Sequence, residues 1–203
     1  ALLESRWRFA AGLGGISITL LVLNNVDKVI LSGLASLKAF GYYTLAWTLA
    51  NAVRLLADPL FTTFFPRLSQ AWAAGDMEAL GELYHRVCRM MTVAILPLGL
   101  TIAFFAPEAM YVWTQSPETA AQSGPLLRLL ALGNLCLAMT IVPYALQLAS
   151  GWTSLAFWSN VAASVILAPL MLFLARTYGT YGGGIAWTIL NGTYLVVTVL
   201  AMH

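Results

Sequence analysis

Six stretches of the chain, at roughly 9–31, 40–65, 87–106, 126–149, 154–175 and 183–202, are apolar almost throughout. Each comes close to the ~20 residues that an α-helix needs to cross a hydrocarbon core about 30 Å thick. The strands of a membrane barrel would be about half as long and would alternate apolar with polar residues; no stretch here does. The pattern restricts the chain to an all-α integral membrane protein with six transmembrane helices in a single unit, 1–203. Composition closes the competing classes. Of 203 residues, 60% are hydrophobic and 9% charged, whereas a soluble domain is about 25% charged. A net charge of +2 gives no polybasic footprint, so no nucleic-acid partner is expected. Cys88 and Cys136 lie in apolar stretches without ligand spacing and read as packing residues.

The breaks between windows carry turn chemistry. Residues 33–38 end the first, Pro66-Arg67 the second and Ala106-Pro107-Glu108 the third. A polar stretch runs from Thr114 to Gly124, Gly151 separates the fourth and fifth windows, and Tyr178–Gly184 precedes the last. Residues 69–86 differ, with Asp76, Glu78, Glu82, His85 and Arg86 among Trp72, Met77, Leu80 and Leu83. They predict a short amphipathic helix lying at the interface as a cytoplasmic linker, with Asp76 capping a helix that starts at Met77 and Glu82 four before Arg86. Trp7, Trp47, Trp72, Tyr84, Tyr111, Trp113, Trp152, Tyr178 and Tyr181 fall near helix ends, as in an aromatic belt.

Sidedness follows from Lys and Arg in the short loops. Arg6, Arg8, Arg67, Arg86 and Arg89 fall on one side; Lys38, Arg128 and Arg176 fall on the other. Five against three places both termini and the 69–86 linker in the cytoplasm, and Glu108 and Glu118 outside. No basic region leads into a short apolar run with a small-residue cleavage site, so no signal peptide is expected. The start at Ala1 suggests a fragment.

Charges within the hydrocarbon are costly, about 2.5–3.5 kcal/mol each, and mark function more often than packing. Four occur: Asp27, Lys28, Arg54 and Asp58. In the second window Thr44, Trp47, Asn51, Arg54, Asp58 and Thr62 recur at helical spacing and share one face. Two readings stand side by side. Arg54 and Asp58 can neutralise each other at i, i+4 and lock the helix against a neighbour. Alternatively the stripe faces a hydrated cavity, with Arg54, Asn51 and Trp47 offered to an anionic substrate and Asp58 to a coupling ion. In the first window Asn24, Asp27 and Lys28 share a face, either as a capping cluster with Lys28 snorkelling outward or with Asp27 coupling a proton or cation. At 1.5 Å per residue, Asp27 and Arg54 differ in depth by roughly 15 Å and are not expected to pair. Thr140, Tyr144, Gln147, Asn160 and Asn191 read as interhelical hydrogen-bonding groups, and Pro97, Pro143 and Pro169 as kinks.

Enzyme signatures are missing: no HExxH, no GxSxG, no phosphate loop and no paired carboxylates on a polar loop. His85 and His203 are far apart. Neither catalysis, a cofactor nor a metal site is expected.

The segment 24–43, with Asp27, Gly41 and Tyr42 or Tyr43, resembles the D-x-x-x-(I/L)…G-x-Y pattern of polysaccharide-export flippases. Phe65-Pro66-Arg67-Leu68-Ser69 is similar to their P-x-(L/F)-S helix end, 76–83 to their amphipathic linker, and Gly179-x-x-Gly182-Gly183-Gly184 to the G-x-x-G-A-A start of a late helix. Together, in order, these motifs identify the chain as resembling the C-terminal half of an O-antigen or capsule repeat-unit flippase. That family belongs to the multidrug/oligosaccharidyl-lipid/polysaccharide exporter superfamily. The resemblance implies one lobe of a MATE-like two-lobe transporter in the bacterial inner membrane. It also implies flipping of undecaprenyl-diphosphate-linked oligosaccharides for lipopolysaccharide or capsule. The implied partners are the lipid bilayer, the lipid-linked oligosaccharide, a missing N-terminal lobe and a polysaccharide polymerase. A cation-coupled drug antiporter of the same superfamily, a membrane enzyme of lipid-linked sugar transfer and a non-transporting assembly partner are the alternatives.

Overall fold

The computed structural model describes residues 14, 17, 21, 22 and 24–202. Among them every regular element is helical: α1 (Val26–Leu34), α2 (Leu37–Ala50), α3 (Ala52–Ala74), α4 (Met77–Phe104), α5 (Ala106–Thr114), α6 (Pro117–Met139), α7 (Ile141–Ala149), α8 (Thr153–Tyr178) and α9 (Thr180–Met202). Four helical stretches are long and apolar enough to cross a membrane: Met77–Phe104, Pro117–Ala149, Phe157–Tyr178 and Thr180–Leu200. About half of window 9–31 lies outside the described residues, and Arg6, Trp7 and Arg8 lie there entirely. Window 40–65 does not join the four, because it is not one helix. It breaks at Asn51 into α2 and α3, and α3 carries Arg54, Asp58 and Arg67.

The local stops explain the other differences from the sequence reading. Pro66 does not end the second window; α3 runs on to Ala74 and closes at Gly75, whose φ of 72° is left-handed. The segment 69–86 is not one helix, and the helix expected from Met77 runs on unbroken into the third window. The first half of the segment is the last turns of α3 and its second half the first turns of α4. Asp76 does cap α4, accepting from Ala79 N at 2.9 Å. The polar stretch after Thr114 is no loop: Gln115 takes a left-handed turn, Ser116 caps α6 by accepting from Thr119 N at 3.2 Å, and Pro117 fills the first helical position. The fourth window is interrupted at Thr140, separating α6 from α7. Pro143 has no N–H to give the Met139 carbonyl, which accounts for a break one turn earlier.

Helix α6 is the axis of the bundle, packing against α2, α4, α5 and α9. It can do so because its buried positions include Ser123, Gly124, Ala131, Gly133 and Ala138 among leucines. In lipid there is no hydrophobic gain in pressing one helix on another, so association relies on close backbone approach and interhelical hydrogen bonds. A Cβ at Gly133 would stand 2.6 Å from Trp187 Cδ1, and one at Gly124 2.9 Å from Pro107 Cα. Thr188 Oγ1 donates to the Leu129 carbonyl at 2.7 Å, and Arg128 Nε donates to the Ala103 carbonyl at 3.1 Å. The glycine run opening α9 has the same basis: a Cβ at Gly182 would collide with the Leu174 backbone of α8, and one at Gly183 would meet Leu31.

At one end of the bundle Lys38 Nζ donates to Glu118 Oε1 at 2.6 Å, and Tyr42 Oη to the same oxygen at 3.1 Å. The starts of α2 and α6 thus lie together.

Candidate functional site

The first half of α3, the α6–α7 break and the faces of α8 and α9 line a cavity of about 300 Å³. From α3 it is lined by Arg54, Asp58 and Phe61, and from the turn before α1 by Asn24. Leu137, Thr140, Ile141 and Tyr144 contribute from the α6–α7 break; Asn160 and Ala163 come from α8, and Trp187, Leu190, Asn191 and Tyr194 from α9. The lining therefore holds one guanidinium, one carboxylate, three amides and four aromatic rings. The Asn160 amide is buried, and its Nδ2 has no hydrogen-bond partner among the described residues.

Several of these side chains are held by neighbours. Trp187 Nε1 donates to Asn134 Oδ1 of α6 at 2.9 Å, which fixes the indole against Gly133. Asn191 Nδ2 donates to the Trp187 carbonyl at 2.8 Å, leaving its own Oδ1 as an acceptor. Thr140 Oγ1 donates to the Leu137 carbonyl at 2.6 Å.

Arg54 and Asp58 both line the cavity, yet they do not form the i, i+4 ion pair. Arg54 Nη1 instead donates to Asn24 Oδ1 at 3.2 Å. Asp58 is exposed. The self-neutralised pair that the sequence allowed is absent from this arrangement.

The remaining expected site residues fall elsewhere. Trp47 is buried, its ring 4.8 Å from that of Trp187 in an edge-on contact, so it stands behind the cavity wall. It belongs to the core and not to an aromatic belt. Asn51 sits at the helix break and is not among the lining residues; its carbonyl accepts from Arg54 N and Leu55 N. Thr44 and Thr62 at the ends of the stripe donate to the nearby carbonyls of Gly41 and Pro59. The stripe is one face in sequence only, because the break at Asn51 separates its two halves.

Asp27 is 0% exposed. Tyr43 Oη donates to its Oδ2 at 2.7 Å and Lys28 Nζ lies 3.5 Å from its Oδ1. Lys28 does not snorkel outward. Its Nζ stands 4.1 Å from the Trp47 ring centroid and donates to the Asn24 carbonyl at 2.9 Å. The Asp27 carboxyl is thus held between a phenol and an ammonium, and that ammonium rests on an aromatic face. Asp27 does not pair with Arg54; Asn24 connects the two clusters.

Asn160, Asn191, Tyr144, Tyr194, Trp187 and Phe61 were not legible as site residues. Each is a lone polar or aromatic group on a different turn or helix, and only the packing of α3, α7, α8 and α9 gathers them.

The cavity sets a cation and a carboxylate among amides and aromatic faces, embedded in apolar helices. No group of three or more His, Cys, Asp or Glu among the described residues is placed to hold a metal. The MatE family model matches residues 13–173, more than half of the sequence. The chain belongs to the MatE family. MatE proteins are membrane transporters of the multidrug/oligosaccharidyl-lipid/polysaccharide superfamily, not enzymes, and the apolar helices agree with a multi-pass membrane protein. No curated protein and no solved structure matches the chain significantly.

Proposed function

We propose that this MatE chain is one six-helix lobe of a two-lobe transporter that moves undecaprenyl-diphosphate-linked oligosaccharides across the bacterial inner membrane. The cargo serves surface polysaccharide synthesis, and both termini are cytoplasmic. The observation that carries the reading is Arg54 itself: a half-buried guanidinium in the cavity wall, turned away from the nearest carboxylate of its own helix. A planar cation suits a diphosphate, whose oxygens it can take two at a time. Amides and aromatic faces are the groups that hydrogen-bond and stack on sugar rings. A cavity of about 300 Å³ is at the small end of ligand sites. It holds a head-group unit while the polyprenyl tail remains in the bilayer. The second lobe would close the other side, and rocking of the two lobes would alternate access. A polysaccharide polymerase would take the product on the outer face.

The test is surface polysaccharide normalised to membrane protein in the full transporter. Arg54→Ala abolishes export at a normal protein level, and Arg54→Lys keeps part of it. Full export by Arg54→Ala, Asp58→Ala would rule out the binding role.

A second reading has one observation in its favour. Asp58 is exposed in the same cavity with no ion-pair partner among the described residues. A free carboxylate suits a cation-coupled antiporter of drugs or small molecules, with Asp58 and Asp27 carrying the coupling ion. In that case Asp58→Asn abolishes cation-driven efflux, while Arg54→Ala spares it.

A further inference from the structure

Arginine and aspartate four apart on one helix pair by default, since their Cβ atoms are neighbours on the surface and the charges attract. Both acceptors would take a charge-assisted bond from the guanidinium, but only the carboxylate adds a full opposite charge to it. Arg54 nevertheless bonds Asn24 and leaves Asp58 alone. Something must hold Asn24 in place for a neutral acceptor to win. The structure shows it: Lys28 Nζ donates to the Asn24 backbone carbonyl at 2.9 Å. Lys28 is in turn fixed by Asp27 and the Trp47 ring, and Asp27 by Tyr43. The turn bearing Asn24 is thereby tied to the cluster of Lys28, Asp27, Tyr43 and Trp47, and its side-chain oxygen is presented to α3.

We infer that Asn24, anchored by Lys28, is the positioning residue that keeps Arg54 off Asp58 and makes this cavity selective for anions. With Asn24 in place the wall shows a cation with its charge uncompensated at contact distance. Without it, Arg54 folds back on Asp58 and the same wall shows a neutral pair. Asn24 need not touch the ligand to have this effect. The inference rests on the anion-binding reading of Arg54 given above, and the experiment separates the two.

The probe is farnesyl diphosphate, a short polyprenyl diphosphate without sugar, titrated into the purified full transporter. Wild-type protein binds it. Asn24→Leu weakens binding about tenfold, the scale of one lost charge-assisted hydrogen bond. Adding Asp58→Asn to Asn24→Leu removes the competing partner and restores affinity to within about threefold. Asn24→Asp, a near-isosteric change suited to a protein that does not tolerate leucine, places a carboxylate against Arg54. It weakens binding too, and Asp58→Asn does not rescue it. A purely packing role for Asn24 predicts no rescue in the leucine background. Wild-type affinity in both Asn24 variants, or an equal loss with and without Asp58→Asn in the leucine background, overturns the positioning role while leaving Arg54 as the anion site. Absence of binding by wild-type protein overturns both.

Discussion

Helices α3 and α6 are each 23 residues long and do opposite work. Helix α6 buries Leu126, Leu127, Leu130, Leu135 and a set of small residues and touches most of the bundle. Helix α3 buries only Val53, Ala57 and Leu68, contains Pro59 and Pro66, and carries Arg54 and Asp58. Both prolines remove a backbone donor, from the Leu55 and Thr62 carbonyls respectively. The comparison teaches how a membrane lobe divides its tasks. One helix supplies close approach and satisfied polar contacts, and another is left loosely packed so that its charges can face a cavity.

Four changes would break or sharpen that contrast. The largest effect belongs to α6. Gly133→Ala pushes a methyl into Trp187, which Asn134 prevents from retreating. We expect a loss of about 3 kcal/mol, read by unfolding in mixed micelles on titration with SDS; tolerance of the change would mean that Trp187 is not clamped. Asn134→Leu comes next, costing about 2 kcal/mol because the Trp187 N–H is left buried and unpaired. Combined with Gly133→Ala it should cost less than the sum, since both act through one indole.

On α3 the expectation reverses. Arg54→Ala and Asp58→Ala should couple by less than about 0.5 kcal/mol in a double-mutant cycle for stability, as the two side chains do not touch. A coupling well above that would restore the structural ion pair and count against the cavity role of Arg54.

The smallest effect is at the exposed end, where Lys38 meets Glu118. The hydrogen bond and charge of Glu118 hold the Lys38 ammonium above its ordinary pKa of 10.5. A raised cationic pKa stabilises fully below the ordinary value and is lost as pH rises through the raised one. Lys38→Met should therefore shift the unfolding midpoint slightly and equally at about pH 7 and about pH 9, and high salt should erase the shift. A shift that changes between those two pH values would contradict the assignment.

The amino-acid sequence by itself determined that this is an all-helical membrane protein. Apolar runs of about twenty residues with so few charges have no other stable solution, because backbone polar groups in lipid must be satisfied within the segment. It determined local stops where one residue governs them, as at Asp76, and it marked Asp27, Arg54 and Asp58 as out of place in hydrocarbon. Only the tertiary structure decided what those charges do. Whether Arg54 takes Asp58 or Asn24 depends on a residue 30 positions away, brought near by the break at Asn51 and the packing of the turn before α1. The cavity's amides and rings likewise come from helices far apart in sequence. Periodicity reports which residues share a face of one helix; it does not report which faces meet.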